Sequence, residues 1–360
     1  MIPSRGQRRR RFSIHYRKLG RTGYDVSEIG FGAWGLGGDA WRGVARDERV
    51  RTVHAALDLG VTFLDTALEY GNGESERTLA AVLAERPPAE RERIVVATKV
   101  PPLDMVWPGL AATPLRETFP ARHVVACVEK SLRNLRLDAL PIAQFHVWHD
   151  AWLDAPEWGA TRAAMTRLAD EGKVLHWGVS INDHAPDTAT RLLADPIIES
   201  AQVIYNVFDR APERALFALA RERGLGVIAR SPFDEGTLAG AIRADTTFPR
   251  SDWRAGYFRG GRLAEAARRA DALRALLDVE ARAAEGRAPE ARTPEARTLA
   301  ELALRFCLSQ PEVATVIPGM RRAEHARANA AVSDGRALSP DLLARLADHA
   351  WEKNWYDEWS

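Results

Sequence analysis

Four polar side chains of complementary chemistry follow apolar runs in the first half of the chain. Asp65 ends one run, and Tyr70 follows it in a glycine-bounded loop. Lys99 and His146 end two later runs. A carboxylate at the end of a buried strand is costly unless it meets a cation. A neighbouring ammonium group favours the ionised form of a tyrosine and lowers its pKa from about 10.

These residue types predict one catalytic cluster. Tyr70 would be the general acid, Lys99 would lower its pKa and Asp65 would hold Lys99 in place. His146 would hydrogen-bond the substrate oxygen or the phenol and so orient a carbonyl group. The alternative is a loop tyrosine beside a structural Asp–Lys pair. The joint occurrence of the four at the ends of successive runs favours function.

The elements that would position this cluster alternate along the chain. Apolar strand-like runs are separated by segments in which apolar residues recur three and four positions apart, as in helices. Strand–helix alternation predicts parallel pairing, and eight repeats favour a closed (β/α)8 TIM barrel, with active-site groups at the C-terminal ends of the strands. The eight predicted strands are Val26–Gly32, Val61–Asp65, Ile94–Lys99, Ile142–Val147, Trp177–Ser180, Ala201–Tyr205, Gly226–Arg230 and Ala314–Pro318.

We predict a single barrel domain over residues 16–360, after a disordered basic tail over residues 1–15. Loop insertions near 101–120 and 240–297 would lie at the C-terminal face. The second insertion ends in a repeated Pro-Glu-Ala-Arg-Thr, which is typical of a solvated linker. Tryptophans are as often core or lid residues as pocket residues, and those we assign to a substrate pocket are Trp34, Trp107 and Trp148.

Composition excludes several classes of function. The net charge of +1 gives no reason to expect nucleic acid or a membrane as partner. Cys127 and Cys307 are too few for a disulfide framework or a zinc site, so a reducing cytoplasm is expected and no metal site. An arginine run at residues 8–11 lacks the apolar stretch that an export signal needs. The expected partner is a small-molecule carbonyl substrate.

Two glycine-containing segments suggest ligand contacts. Residues 30–35 match G-x-G-x-x-G, but no helix begins at the third glycine, so a dinucleotide-binding Rossmann domain is not expected. A close backbone approach to a ligand at Gly32, Ala33 and Trp34 remains the interpretation. Residues 316–325 read as strand, turn and helix start, where backbone N–H groups attract phosphate, and Arg321 and His325 add donors.

With these motifs in view, the chain resembles the aldo-keto reductase family over roughly residues 16–332. The resemblance lies in Asp65-Thr66-Ala67 with Tyr70-Gly71, in Gly178 to Asn182, and in Ile317-Pro318-Gly319. It implies an NAD(P)H-dependent reduction of aldehydes or ketones to alcohols, with NADPH as the usual cofactor and NADH possible. The implied cofactor-binding residues are Gly32, Ala33, Trp34, Ser180, Asn182, Gln202, Arg230, Ser231, Pro232, Phe233, Gly319, Arg321, His325 and Asn329.

The sequence also departs from the family at positions that bear on the cofactor. Arg230 stands where an aromatic residue often stacks on the nicotinamide, and His325 stands where Arg or Gln is common. Two other functions stay open, namely a cofactor-binding redox-sensing or regulatory protein and an NAD-dependent alcohol dehydrogenase. The carbonyl substrate, the physiological direction and the oligomeric state are not readable from the sequence.

Overall fold

The computed structural model describes residues 14–38, 45–285 and 294–356. Within these ranges eight strands form one parallel sheet in sequential order. The sheet closes on itself, because the backbone N–H groups of Gly30 and Gly32 donate to the oxygens of Val316 (2.8 Å) and Pro318 (3.1 Å). The predicted (β/α)8 barrel is therefore confirmed. The strands are β1 Tyr16–Lys18, β2 Asp25–Ser27, β3 Phe31–Gly32, β4 Phe63–Asp65, β5 Val95–Val100, β6 Leu140–Trp148, β7 Val174–Ile181, β8 Ile198–Ile204, β9 Gly226–Arg230 and β10 Val313–Val316.

The first predicted strand is wrong as a single element. Its N-terminal half is β2, which pairs antiparallel with β1 outside the barrel, and only its end is the barrel strand β3. Leu19 and Val26 from this hairpin pack with Phe63 and Ile142 from the barrel strands. The apolar residues of the hairpin therefore close the floor of the barrel, which the strand pattern alone could not reveal.

Helices surround the sheet, and the longer ones bury one face against it. In α5, the buried residues Val124, Val128 and Leu135 follow helical spacing, and the helix ends where Arg136 adopts a left-handed conformation. The helices are α1 Arg46–Asp58, α2 Glu74–Ala84, α3 Pro88–Arg91, α4 Leu115–Thr118, α5 Ala121–Leu135, α6 Trp158–Asp170, α7 Thr190–Leu193, α8 Leu216–Arg223, α9 Arg254–Tyr257, α10 Arg262–Glu285, α11 Leu299–Leu308, α12 Ala323–Ala330 and α13 Pro340–Ala347.

The two insertions differ in form. Residues 101–114 make a loop that contacts the ends of two barrel strands, since Trp107 Nε1 donates to the oxygen of His146 at 3.1 Å. The second insertion contributes α9 and α10. The first copy of the Pro-Glu-Ala-Arg-Thr repeat, residues 289–293, lies outside the described residues, as do residues 1–13 of the predicted tail. Ile14, at the end of that tail, is buried in the main core.

A C-terminal arm, residues 351–356, packs on the second insertion. Trp351, Trp355 and Tyr356 join an aromatic cluster with Tyr257 and Phe258. The arm therefore belongs to the wall of the barrel mouth, a placement that the aromatic-rich sequence left open.

Candidate active site

A cavity with a volume of about 620 Å³ opens at the C-terminal ends of the barrel strands. It is the position at which barrels of this type carry active sites. Most of the residues assigned from the sequence line it, from both the proposed catalytic and the proposed cofactor groups. These are Gly32, Trp34, Asp65, Tyr70, Trp107, His146, Gln202, Arg230, Ser231, Pro232, Phe233, Gly319, Arg321, His325 and Asn329.

Lys99 lies directly behind this surface and joins the predicted cluster. Its Nζ donates to Asp65 Oδ2 at 2.7 Å and to the backbone oxygen of Thr66 at 2.8 Å. The hydroxyl of Tyr70 lies 3.3 Å from the same nitrogen. The parallel register of β4 and β5 brings Asp65 next to Ala97 and so fixes the separation between the carboxylate and the lysine. The predicted Asp–Lys–Tyr contact therefore exists.

The second oxygen of Asp65 is also occupied. Gln202 Nε2 donates to Asp65 Oδ1 at 2.6 Å and to Gln144 Oε1 at 3.2 Å. All three side chains are buried. Their hydrogen bonds link β4 to β8 across the barrel interior, and both oxygens of Asp65 accept hydrogen bonds. A charge held in this way has little freedom to move, which favours a fixed position for Lys99.

The expected net fall in the pKa of Tyr70 is contradicted. Burial raises the pKa of Tyr70 well above its ordinary value, and the nearby Asp65 and Glu69 carboxylates raise it further, whereas Arg230 lowers it. The phenol is therefore protonated at neutral pH. Burial also lowers the pKa of Lys99, while Asp65 raises it. The sequence could not anticipate this result, because it does not show how deeply the phenol is buried.

His146 is a neutral group beside the phenol. Burial lowers its pKa well below the usual range, and the charges of Lys99 and Arg230 lower it further. The His146 and Tyr70 rings meet edge to face with their centroids 6.2 Å apart. Its Nδ1 lies 3.7 Å from Glu69 Oε2 and has no hydrogen bond within the described residues.

Beyond Arg230, the cavity is lined by a loop, residues 231–236, that follows β9. Arg230 Nη2 donates to Asp183 Oδ1 at 2.8 Å and to the oxygen of Ile181 at 2.9 Å. The guanidinium is thus fixed at the strand end, where the sequence predicted a contact with the nicotinamide. In the loop, Ser231, Asp234 and Glu235 all have positive φ (49°, 45° and 56°), a conformation that costs non-glycine residues energy.

The C-terminal arm holds this loop through two buried contacts. Lys353 Nζ donates to Asp234 Oδ1 and to the hydroxyl of Tyr257, and both ionised side chains of the pair are almost fully buried. The hydroxyl of Tyr356 donates to Glu235 Oε1. The arm therefore contacts two of the three residues with positive φ.

The far end of the cavity suits a dinucleotide phosphate. Arg254 of α9, Arg321 and His325 line it together, and cationic donors of this kind recognise phosphate. Asn329 Nδ2, which is buried, has no hydrogen bond within the described residues and is therefore placed to serve a ligand. Burial is the main cause that lowers the pKa of His325, so this ring is neutral at pH 7.

Ser180 has the position and the free hydroxyl that a contact with the nicotinamide would require. It pairs with His146 on one side and with Gln202 on the other. Its buried Oγ has no hydrogen bond within the described residues. A hydroxyl without a partner beside two cavity-lining residues is a suitable donor for a ligand amide.

Besides Lys99 and Ser180, which lie behind the surface, three of the sequence-based assignments do not line the cavity. Ala33 is fully buried, and its N–H donates to the oxygen of Asp65 at 2.8 Å. Asn182 accepts from the N–H of Gly109 (2.8 Å) and donates to its oxygen (2.9 Å). Its amide therefore holds the 101–114 loop and is not available to a nicotinamide.

Trp148 is the third. It is fully buried and packs against Phe119 and Trp152, away from the cavity. The β6–β7 register shifts between His146 and Trp148, so strand alternation no longer places both on the same side. The assignment of Trp148 to the substrate pocket is therefore wrong.

Several residues that line the cavity are not among those assigned from the sequence. Glu69 adjoins Tyr70 and could have been found from that adjacency. Asp183 and Glu235 follow the ends of β7 and β9 in loops, which gave no signal. These residues, with Arg254 and Tyr356, complete the wall.

Two broader searches bear on other classes of function. Within the part of the chain that the structure describes, no three His, Cys, Asp or Glu side chains are grouped as a metal site requires. None of the helices in the same ranges combines the length and apolar character of a membrane span.

Comparison with known proteins identifies the family. The sequence model of the Aldo/keto reductase family matches residues 28–350. The aldo-keto reductase YhdN of Bacillus subtilis (strain 168) is 31% identical over 241 residues, which are 67% of this chain and 69% of that protein. The NADH-specific methylglyoxal reductase of Escherichia coli (strain K12) is 30% identical over 240 residues, with coverages of 63% and 70%.

The solved structures agree in fold. The glycerol dehydrogenase AKR11B4 from Gluconobacter oxydans aligns with a TM-score of 0.71 at 25% identity, over 93% of this chain and 94% of that one. The chain therefore belongs to the aldo/keto reductase family, whose members among these relatives are oxidoreductases.

Proposed function

We propose that this member of the aldo/keto reductase family reduces aldehydes or ketones to alcohols with NADPH or NADH, and that Tyr70 supplies the proton. The observation that carries the proposal is the contact of Lys99 Nζ with both Tyr70 and Asp65 at the base of the cavity. Aromatic residues that line the mouth, Trp34 and Trp107, suit a small organic substrate.

The fit of a nicotinamide dinucleotide is supported by the unpartnered Nδ2 of Asn329 in the cavity wall and by Arg321 at the phosphate end. It is also supported by the unpartnered Oγ of Ser180, which lies between His146 and Gln202 in the sheet. A bound nicotinamide would supply hydride to the carbonyl carbon. Ser180 and Gln202 would hold the nicotinamide amide, and Arg230 would lie beside the ring.

The residues of the chain would manage the proton. Tyr70 is protonated at neutral pH, so it can donate to the carbonyl oxygen. The ammonium of Lys99, 3.3 Å from the phenol oxygen, would stabilise the phenolate that remains after the proton has moved. Asp65 would keep Lys99 in position, and the neutral His146 would hydrogen-bond the substrate oxygen rather than release a proton of its own.

A second function, the NAD-dependent oxidation of alcohols, uses the same groups in reverse. It is favoured by the fold and identity shared with a glycerol dehydrogenase.

Initial rates with NADPH and NADH, over a panel of aldehydes and the matching alcohols, test the proposal. We expect reduction of several aldehydes with at least one cofactor. Faster oxidation than reduction at neutral pH would identify an alcohol dehydrogenase. Tight cofactor binding without turnover of any substrate would refute the enzyme and favour a cofactor-binding regulatory protein.

A further inference from the structure

Glu69 presents a carboxylate to the cavity, and none of the residues that the structure describes donates a hydrogen bond to it. It precedes Tyr70 and lines the same cavity, and 29% of its side chain is exposed. No donor within the described residues bonds to its carboxylate oxygens, and burial is the main cause that raises its pKa. Water reaches this part-exposed carboxylate in the open cavity, so a ligand that displaces the water without offering a donor would incur a desolvation cost.

The ring nitrogen of His146 that faces Glu69 is a second polar atom at this place. His146 Nδ1 lies 3.7 Å from Glu69 Oε2, which is beyond hydrogen-bond distance, and it too has no hydrogen bond in the part of the chain that the structure describes. A ligand hydroxyl can donate its hydrogen to the carboxylate while its oxygen lies beside the ring. The pair therefore forms a polar recess in the cavity wall, at which one ligand hydroxyl could meet both atoms.

The position of this recess fixes which hydroxyl it could receive. Tyr70, the proposed proton donor to the carbonyl oxygen, is the next residue in the chain, and its ring faces the ring of His146. A carbonyl bound at Tyr70 would therefore bring the substituent on its adjacent carbon toward Glu69. A hydroxyl on that carbon would meet the carboxylate, whereas a methyl or hydrogen would leave it unsatisfied.

The other walls limit the substrate further. Trp34 lies 6.5 Å from the ring of Tyr70, and Trp107 lies 5.8 Å from the ring of His146, both measured between centroids. Such aromatic faces pack against the C–H groups of a short carbon chain. The carboxylate of Glu69 would repel a carboxylate or phosphate on the substrate.

We propose that Glu69 is a specificity-determining residue that selects small, uncharged carbonyl compounds with a hydroxyl group on the carbon next to the carbonyl. The hydroxyl donates to the Glu69 carboxylate and displaces water from the recess beside His146. This inference rests on the proposed carbonyl reduction and specifies its substrate class.

The test compares two substrates that differ by one hydroxyl, 2-hydroxypropanal and propanal, in the parent protein and in variants. The measured quantity is the ratio of their kcat/KM values, which cancels any general loss of activity. We expect Glu69→Leu to lower this ratio by roughly 10- to 100-fold, since a charge-assisted hydrogen bond to a substrate hydroxyl is lost. Glu69→Gln keeps one acceptor oxygen and should give an intermediate ratio.

Glu74 provides a matched control. It begins α2 and pairs with Arg77 outside the cavity, so Glu74→Gln should leave the ratio unchanged. Thermal unfolding of each variant checks that the barrel is intact, and if Glu69→Leu does not fold, the Gln variant decides alone.

The outcomes separate this inference from the proposed function. Reduction of both aldehydes with a ratio that is the same in the parent and in the Glu69 variants would overturn the inference and leave carbonyl reduction standing. Failure of the parent protein to reduce either aldehyde, or any member of the wider panel, would overturn both. A ratio that falls for the Glu69 variants but not for Glu74→Gln supports both.

Discussion

The two ends of the cavity are held in place by different means. At the reaction end, Asp65, Lys99 and His146 belong to adjacent barrel strands, and the ladder of backbone hydrogen bonds fixes their separation. At the cofactor end, the 231–236 loop depends on side-chain contacts with the C-terminal arm, such as Lys353 with Asp234, which lie 119 residues apart. The comparison suggests that reaction geometry comes from the sheet and cofactor affinity comes from loop contacts.

The sharpest test of the reaction end is Tyr70→Phe. Removal of the phenol oxygen eliminates the proposed proton donor but leaves the ring and the cofactor end unchanged. We expect kcat to fall by roughly 10²- to 10⁴-fold and the cofactor dissociation constant to stay within about threefold. Steady-state rates and quenching of tryptophan fluorescence by NADPH measure the two effects. Reduction at the parent rate would show that Tyr70 is not the acid.

Lys353→Met tests the cofactor end. The change leaves Asp234 buried without its cation, so the free energy of unfolding should fall by about 3–5 kcal/mol, and the loop should lose its anchor. We expect the cofactor dissociation constant to rise about tenfold or more, while kcat at saturating cofactor changes little. Isothermal titration and rates at high cofactor concentration measure these quantities.

Glu352 offers the control for that variant. It lies in the same arm but is exposed and pairs with Arg214 at the surface, so Glu352→Gln should change neither stability nor cofactor affinity appreciably. A large loss of kcat in Lys353→Met at saturating cofactor would show that the arm also affects the reaction geometry, and would contradict the separation of the two ends.

The smallest effect is expected for His325→Arg. The lowered pKa of His325 leaves the ring uncharged at pH 7, so it adds no positive charge to the phosphate end. Arginine would add a permanent charge and should shift the ratio of NADH to NADPH dissociation constants by roughly five- to tenfold towards NADPH. An unchanged ratio would mean that the adenosine phosphate does not lie near this residue.

The difference between the end of the cavity held by the sheet and the end held by loop contacts also explains what the sequence could predict. The barrel and the contacts among Asp65, Lys99 and Tyr70 follow from the order of strands and from the residues that end them, because parallel strands bring such residues to one face. Helix bounds such as Glu74–Ala84 follow from apolar spacing.

The remainder depends on contacts that leave no local pattern. The pairing of Lys353 with Asp234 joins distant segments, and the register shift that turns Trp148 into the core interrupts the alternation on which strand predictions depend. The pKa of Tyr70 was predicted in the wrong direction, since only the folded barrel reveals how deeply the phenol is buried.

The arm also bears on how the protein is made. Gly32 and Tyr356 both line the cavity, although they are 324 residues apart in the chain. Gly32 is therefore synthesised long before Tyr356. A nascent chain that has folded its eight barrel strands would still lack the contacts of the C-terminal arm with residues 231–236. Cofactor capture during translation should therefore wait until residue 356 has emerged from the exit tunnel.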